Sequence, residues 1–318
     1  MPRPRVLFVK LSSLGDVVHH FPAVTDLAAH RPDVEISWAV EEAYAELVRL
    51  HPAVGEVIPV GLRALKSRPF SLAAWGRMRS SRRTLARARW DYVIDTQGLA
   101  KSAWVARRAE GVRFGLDRAS AREGSAARSY DVRIPVAREL HAVERNRRLV
   151  AEVFGYPLGA ANYGLAAALP PPDVAPEGKY VVLLHAASRE AKRWPAERWI
   201  GLGTLLAEEG FVPVLPGGSE AERAAAARIA ASIPGAVALP ATGLRDLAGL
   251  IANAWLVAGV DTGLTHLAVA LGRPTVGIYC ATRPELTGLY AGRSVNLGTA
   301  GAPPTVEDVA QAIGYGRA

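Results

Sequence analysis

The chain has 318 residues, 50% hydrophobic and 21% charged, with 30 Gly and 22 Pro, which suits two globular domains and excludes long disorder, collagen-like repeats and coiled coil. Lys and Arg outnumber Asp and Glu by 38 to 30, a formal net charge of +8, and the excess is uneven: residues 1–170 hold 26 Lys/Arg against 17 Asp/Glu, residues 171–318 hold 12 against 13. The single cysteine, Cys280, excludes an intramolecular disulfide and a cysteine-rich zinc site, and no apolar segment reaches the ~18 residues of a spanning helix.

Arg5–Lys10 reads as a short buried strand, Leu11–Asp16 as a turn and Val17–His30 as a helix with apolar residues on a roughly 3.6 period. Strands are expected at Glu35–Val40, Val57–Val60 and Tyr92–Asp95, with helices at Tyr44–Leu50, Leu72–Ala88 and Leu99–Arg108. Phe114–Leu116 and Val132–Ile134 read as short late strands before a helix His141–Phe154. Pro170–Gly178 is rich in turn formers and is the linker candidate. A second series follows: strand Tyr180–His185, loop Ala186–Pro195, helix Ala196–Glu209, strand Val212–Leu215, helix Ala221–Ile233 and strand Val237–Leu239. Helix Leu244–Ala254, strand Leu256–Gly259, helix Thr262–Leu271 and strand Thr275–Ile278 continue it, and Thr305 with Asp308 opens a last helix as a loose capping box. Alternation this regular predicts an α/β protein of two Rossmann-like, doubly wound domains facing a cleft, residues 1–170 and 171–318, the last helix being free to pack back on the first domain.

Ligands of such sheets sit at the carboxyl ends of the strands, so loops that leave a strand and enter a helix are where chemistry is expected. In the first, Lys10–His19, Gly15 would permit a tight turn, and Ser12, Ser13 and Asp16 lie where backbone N–H groups of a starting helix can face an anion or a substrate hydroxyl. The same residues also suit a plain helix cap. As a general base, Asp16 would be weakened by the helix N-terminus and would need a strongly electrophilic donor. In the second, His185–Pro195, Ser188, Lys192 and Arg193 fit either a diphosphate or an ordinary exposed loop. In the third, Gly259–His266, the N–H groups of Thr262, Gly263 and Leu264 would cradle a phosphate, Asp261 would cap or orient the turn, and His266 would pack or orient. In the fourth, Leu215–Glu222, Glu222 suits a ribose hydroxyl and a capping box with Ser219 equally. The phosphate-loop and first-strand dinucleotide signatures are absent, which counts against an NTPase or a simple dehydrogenase.

Lys10–Leu27, the Lys192-Arg-Trp-Pro195 loop and the Asp261-Thr-Gly-Leu-Thr-His266 loop together resemble the heptosyltransferases of lipopolysaccharide core synthesis, glycosyltransferase family 9. The likeness covers nearly the whole chain, and the Ser-Ser-Leu-Gly-Asp-Val-Val-His form is closer to the type I members than to type II. It implies the two-domain GT-B fold and transfer of L-glycero-D-manno-heptose from ADP-heptose to the inner Kdo of Kdo2-lipid A, with inversion, no cofactor and no required metal. It implies Asp16 as the base beside an acceptor region holding Ser12, Ser13 and Gly15. Lys192 and the Thr262–Gly263 turn would hold the diphosphate with Ser188 and Leu264 near it, Glu222 would meet the adenosine ribose, Asp261 would lie near the donor heptose, and His266 would support that loop. Where family members commonly have two threonines before the basic loop, this chain has Ala187-Ser188, so one hydroxyl is missing.

Between Val57 and Trp90 there are nine Lys/Arg and no acidic residue, among them Arg63, Lys66, Arg77, Arg79, Arg82 and Arg83. Such a run implies a polyanionic partner. Under the resemblance, that partner is a phosphorylated glycolipid on an anionic membrane surface, with the protein cytoplasmic and peripheral on the inner face of the inner membrane, and His141 and Arg145 are further acceptor-side candidates. A nucleic-acid module does not fit, since Phe70 and Trp75 are the aromatics interleaved before Trp90 and no nucleic-acid motif accompanies them. The alternatives are a type II or III transferase acting on a heptosylated acceptor, and a non-catalytic nucleotide-sugar binder.

Overall fold

The fold is that of a computed structural model, which describes residues 2–67, 70–165 and 169–315, and of residues 64, 66, 67, 74 and 315 the backbone only. The Lys66 side chain and all of Arg68 therefore lie outside the described residues. The chain divides into two compact units, Met1–Leu165 and Ala166–Ala318, a few residues before the boundary read from the sequence.

The first unit holds strands β1 (Arg5–Val9), β2 (Glu35–Glu41), β3 (Val54–Val60), β4 (Arg89–Asp95), β5 (Glu110–Leu116) and β6 (Val132–Ile134). They form one parallel sheet in the order β3-β2-β1-β4-β5-β6. Val6, Leu7, Phe8 and Val9 are fully buried because helices cover both faces, which is why β1 reads as an unbroken apolar run instead of an alternation. The helices are α1 (Leu14–Val18), α2 (Phe21–His30), α3 (Ala45–Val48), α4 (Leu62–Ser67), α5 (Leu72–Arg87), α6 (Ala100–Ala106) and α7 (Ala142–Phe154). The single helix expected over Val17–His30 is two helices: Pro22 has no N–H to continue the ladder and stands in the first turn of α2, so the chain restarts after His19 and His20. Gly15 is likewise corrected. It lies inside α1, where its carbonyl accepts the His19 N–H at 2.9 Å.

The second unit repeats the arrangement. Strands β7 (Tyr180–Leu184), β8 (Val212–Leu215), β9 (Val237–Ala238), β10 (Leu256–Val260), β11 (Thr275–Ile278) and β12 (Ser294–Leu297) order as β12-β11-β10-β7-β8-β9, all parallel. Counted from its own first strand, this is the same order as the first sheet. The helices are α8 (Ala196–Glu208), α9 (Glu220–Ala230), α10 (Leu244–Asn253), α11 (Gly263–Ala270), α12 (Pro284–Thr287) and α13 (Val306–Tyr315). Val309, Ala312 and Ile313 of α13 belong to the core of the second unit, with Trp199, Leu202, Val260 and Ile278. Thr305 and Asp308 close its capping box, Thr305 N–H to Asp308 at 2.8 Å and Asp308 N–H to Thr305 Oγ1 at 3.1 Å.

In each sheet the strand order reverses beside its first strand, between β1 and β4 and between β7 and β10. This is the switch point at whose carboxyl edge an open α/β sheet leaves room for a ligand. Among the described residues, no helix is long and apolar enough to cross a membrane.

Candidate active site

In the first unit, the loops after β1 and β4 meet through side chains. Gln97, buried at 2% exposure, accepts the Leu11 N–H at 2.7 Å and donates to the Ser12 carbonyl at 2.6 Å, extending the β1–β4 pairing past the ends of the strands. Its own backbone is held by the buried Asp95, whose Oδ1 accepts the N–H of Gln97 at 2.9 Å and of Gly98 at 3.2 Å, while Oδ2 accepts the Tyr130 hydroxyl at 2.7 Å. Gly98 completes the turn at φ 65°, a conformation open to glycine. Burial pushes the Asp95 carboxyl up despite these donors, and burial beside Asp95 pushes the Tyr130 phenol up. The Lys10 ammonium donates to the Thr96 carbonyl at 2.9 Å and to Asn146 Oδ1 at 3.0 Å. Burial lowers its pKa to about 8, and Asp16 opposes that fall.

This framework presents Asp16. Its Oδ2 accepts the Ser13 N–H at 2.9 Å, which is the helix-cap role, and Arg122 Nη1 lies 3.2 Å from Oδ1. The carboxylate is a quarter exposed, at 25%, so it caps α1 and still faces solvent. Ser12 Oγ accepts from the Lys101 ammonium at 2.7 Å, and burial lowers the Lys101 pKa, with Arg63 adding to the effect. Arg122, Gln97 and Lys101 were not singled out in the sequence. The loop after β4, Thr96–Leu99, satisfies the same strand-to-helix criterion as the others and is the signal that would have found Gln97, with Lys101 in the first turn of the helix it enters. Arg122 lies 106 residues from Asp16 with no local signal.

The other acceptor-side candidates divide. His141 caps α7, its Nδ1 accepting the Val143 N–H at 3.2 Å, and its ring meets His19 edge-on at 5.5 Å. Arg145 donates to the Ser120 carbonyl from a partly buried position. Arg63 donates its N–H to Glu41 at 3.2 Å and its guanidinium to the Tyr44 hydroxyl at 2.7 Å, and Arg77 pairs with Glu42 at 3.2 Å. The basic run therefore meets acids from elsewhere in the fold, whereas Arg79, Arg82 and Arg83 stand exposed on α5.

In the second unit, the loops after β7 and β10 meet at the Lys192–Asp261 pair. Asp261 Oδ2 takes the Lys192 ammonium at 2.6 Å and the Thr282 hydroxyl at 2.7 Å, and Oδ1 lies 3.5 Å from His266 Nε2. Burial works against the charge, but the hydrogen bonds from His266, Lys192 and Thr282 outweigh it and hold the carboxyl well below the usual range. His266 lies against Asp261 in the same loop, and Thr282 is a partner the sequence did not reveal. Gly259 makes the loop possible: a Cβ there would collide with Thr265 Oγ1, which bonds the Val260 carbonyl at 2.7 Å. Thr262 precedes α11, whose first N–H groups, including those of Gly263 and Leu264, have no acceptor in a preceding turn. Trp194 pins the other loop, buried against Trp199 with its indole N–H on the Pro304 carbonyl at 2.9 Å. Ser188 is exposed beside the buried Ala187. Glu222 closes the capping box, accepting the N–H of Ser219 at 2.9 Å and of Gly218 at 3.0 Å. These bonds are those of the cap reading.

The first unit thus offers a carboxylate able to take a proton, and the second, described by itself, a cation next to a helix N-terminus able to take a diphosphate. Residues 78–312 match the family model described as "Glycosyltransferase family 9 (heptosyltransferase)". Lipopolysaccharide heptosyltransferase 1 of Pseudomonas aeruginosa is 43% identical over 298 residues, 93% of this chain and 84% of that protein. The structure of the E. coli heptosyltransferase WaaC with ADP superposes with a TM-score of 0.90 at 38% identity, covering 98% of this chain and 99% of that one. A second WaaC structure, with ADP-2-deoxy-2-fluoro heptose, gives 0.87 with the same coverage and identity.

Proposed function

The chain belongs to the heptosyltransferases of glycosyltransferase family 9, and we propose that it transfers L-glycero-D-manno-heptose from ADP-heptose to the inner Kdo of Kdo2-lipid A. The observation that carries the reading is Lys192 held by Asp261 one residue before the cap of α11. A leaving diphosphate there finds an ammonium and a helix N-terminus together, charges in place before the bond breaks. Asp16 takes the proton of the acceptor hydroxyl as that oxygen attacks the anomeric carbon in line. The bond from that carbon to the diphosphate oxygen breaks, the electron pair leaves with ADP, and the configuration inverts. Arg122, 3.2 Å from Oδ1, orients the Asp16 carboxylate at the start of α1. In this scheme the leaving charge is met by Lys192 and α11, so no metal enters.

The acceptor side rests on α5 and the turn before it. Arg79, Arg82 and Arg83 are exposed there, with Phe70 at 96% and Leu72 at 89% exposure. Cations around exposed apolar side chains suit an anionic bilayer surface, with peripheral attachment on the cytoplasmic face. The test is ADP release from ADP-heptose with Kdo2-lipid A, compared with the same acceptor already carrying one heptose. Turnover with the first and little with the second is expected. Preference for the heptosylated acceptor would assign a type II reaction, and ADP binding without release on either would leave a nucleotide-sugar binder.

A further inference from the structure

The helix that carries Asp16, α1, is five residues long, well below the ~12–15 residues at which an isolated helix becomes marginally stable in water. Its amino end is fixed by Gln97, which accepts the Leu11 N–H and donates to the Ser12 carbonyl, and by the Lys101 ammonium on Ser12 Oγ. Its carboxyl end presents carbonyls that no later turn of the helix can satisfy. The carbonyl of His19, the residue that caps this end, accepts from Asn146 Nδ2 at 3.0 Å. Asn146 stands on α7, 127 residues away in the chain, and is 5% exposed.

The orientation of that amide is dictated by its other neighbour. An ammonium donates and cannot accept, so the oxygen of Asn146 faces Lys10 Nζ, 3.0 Å away, and the N–H₂ is left to face His19. Lys10 in turn donates to the Thr96 carbonyl at 2.9 Å. The bonds therefore run from the loop after β4, through the ammonium and the amide, to the end of α1. Thr96 reaches the same turn a second time, its Oγ1 lying 3.4 Å from His20 Nδ1. Lys10 is itself 5% exposed, next to the fully buried Val6–Val9, and both of its acceptors are neutral oxygens, which do not offset the burial of a charge as an ion pair would. A leucine would suit the burial but could not join the three segments.

We infer that Asn146, oriented by Lys10, is a positioning residue for the transfer: it fixes the carboxyl end of α1 and so sets where the Asp16 carboxylate meets the acceptor hydroxyl. The inference rests on Asp16 being the base. Five helical residues span about 7.5 Å, so a shift at the His19 end is passed to Asp16 with little room for the helix to absorb it. Misplacing a catalytic group by about 1 Å can cost about a hundredfold in rate.

The test is a cycle in turnover on the full chain: Asn146→Ala, Asp16→Asn and the two together, read by ADP release from ADP-heptose with Kdo2-lipid A, with melting to show that each variant is folded at the assay temperature. Asn146→Ala should lower kcat about ten- to a hundredfold and leave KM for ADP-heptose within about twofold. In the Asp16→Asn background the same change should cost less than about threefold, because the group it positions is already gone. An equal loss in both backgrounds is what a merely structural role would give, and it overturns the inference. Near-normal turnover of Asp16→Asn alone overturns the base assignment and the inference with it, and is told apart because Asn146 is unchanged in that variant. Asn146→Asp separates the two bonds of the amide: it still accepts from Lys10 but sets an oxygen against the His19 carbonyl. It should lose turnover as Asn146→Ala does, and normal turnover would mean that the residue serves Lys10 alone, against the inference. Hydrogen exchange on the unaltered protein needs no variant to fold. The N–H groups of Val17 and His19, bonded to the Ser13 and Gly15 carbonyls at 3.0 and 2.9 Å, should exchange as slowly as those of β1. Exchange as fast as that of a fraying turn would mean that nothing holds α1, and it too overturns the inference.

Discussion

Asp261→Asn and Lys192→Met, singly and together, measure the pair on which the second half-site is built. The ammonium and carboxylate stand 2.6 Å apart with side-chain exposures of 16% and 9%, so neither is screened as a surface pair would be. Breaking a fully buried pair costs about 3–5 kcal/mol. Here Lys192→Met leaves Asp261 with Thr282 and His266, so about 1–2 kcal/mol is expected from that change. Asp261→Asn removes the charge that three donors share, and about 2–4 kcal/mol is expected. The double variant should cost less than the sum by about 1.5 kcal/mol, the worth of one charge-assisted hydrogen bond. Urea unfolding of the four proteins at neutral pH, followed by tryptophan fluorescence, gives the cycle. A coupling below about 0.5 kcal/mol would mean that the two groups act independently and that the pair does not organise the loop. The acid limb gives a second check. Because the folded-state pKa of Asp261 is depressed, its contribution is complete above the unfolded carboxylate value near 4 and is lost as pH falls below it toward the folded value. That limb should shrink in Asp261→Asn.

Asp16→Asn keeps the cap geometry and removes the base. Turnover should fall by about 10²–10⁴ with ADP affinity unchanged, read by ADP release and by calorimetry, and near-normal turnover would remove Asp16 from the mechanism. His51 supplies a pH signature: Ala53 N–H donates to its Nδ1 at 3.2 Å and Nε2 lies 2.9 Å from Thr25 Oγ1, so the folded ring is neutral, and burial lowers its pKa to about 4. Stability should therefore be flat above pH 6.5 and decline between about 6.5 and 4, where the unfolded ring takes a proton and the folded one does not, and His51→Gln should flatten that decline in pH-dependent melting. Gly259→Ala forces a methyl against Thr265 and Leu184, so a loss of about 1–3 kcal/mol and weaker ADP binding are expected from unfolding and calorimetry.

The strand and helix alternation was legible because both sheets are buried on both faces, and β1, β7 and β10 therefore stand out as apolar runs between loops. The capping residues Thr305 and Ser219 were legible for a similar reason, since their partners lie three residues away. Elements with mixed burial were harder. β12, at a sheet edge, has two exposed residues between half-buried ends and drew no assignment from the sequence, and β5 begins four residues before the apolar stretch that marks its end. Asp16, Lys192 and Asp261 were found from the loops that carry them, but their partners Arg122 and Thr282 come from distant segments, and nothing periodic or local links them. The basic run was read as uncompensated along the chain, yet Glu41 and Glu42 reach Arg63 and Arg77 across the end of β2.

The amide of Gln97 is a stitch that time could undo. Hydrolysis of a glutamine amide to the acid replaces its N–H₂ by an oxygen, and here that oxygen would face the carbonyl of Ser12, acceptor against acceptor, where a 2.6 Å hydrogen bond now stands. The loop that presents Asp16 would lose one of its ties to the loop after β4 without any change in the gene, keeping the Leu11 N–H bond to the same side chain. At 2% exposure the amide is shut away from the water that such ageing requires. The burial that gives the loop its shape also sets how long an individual molecule keeps it.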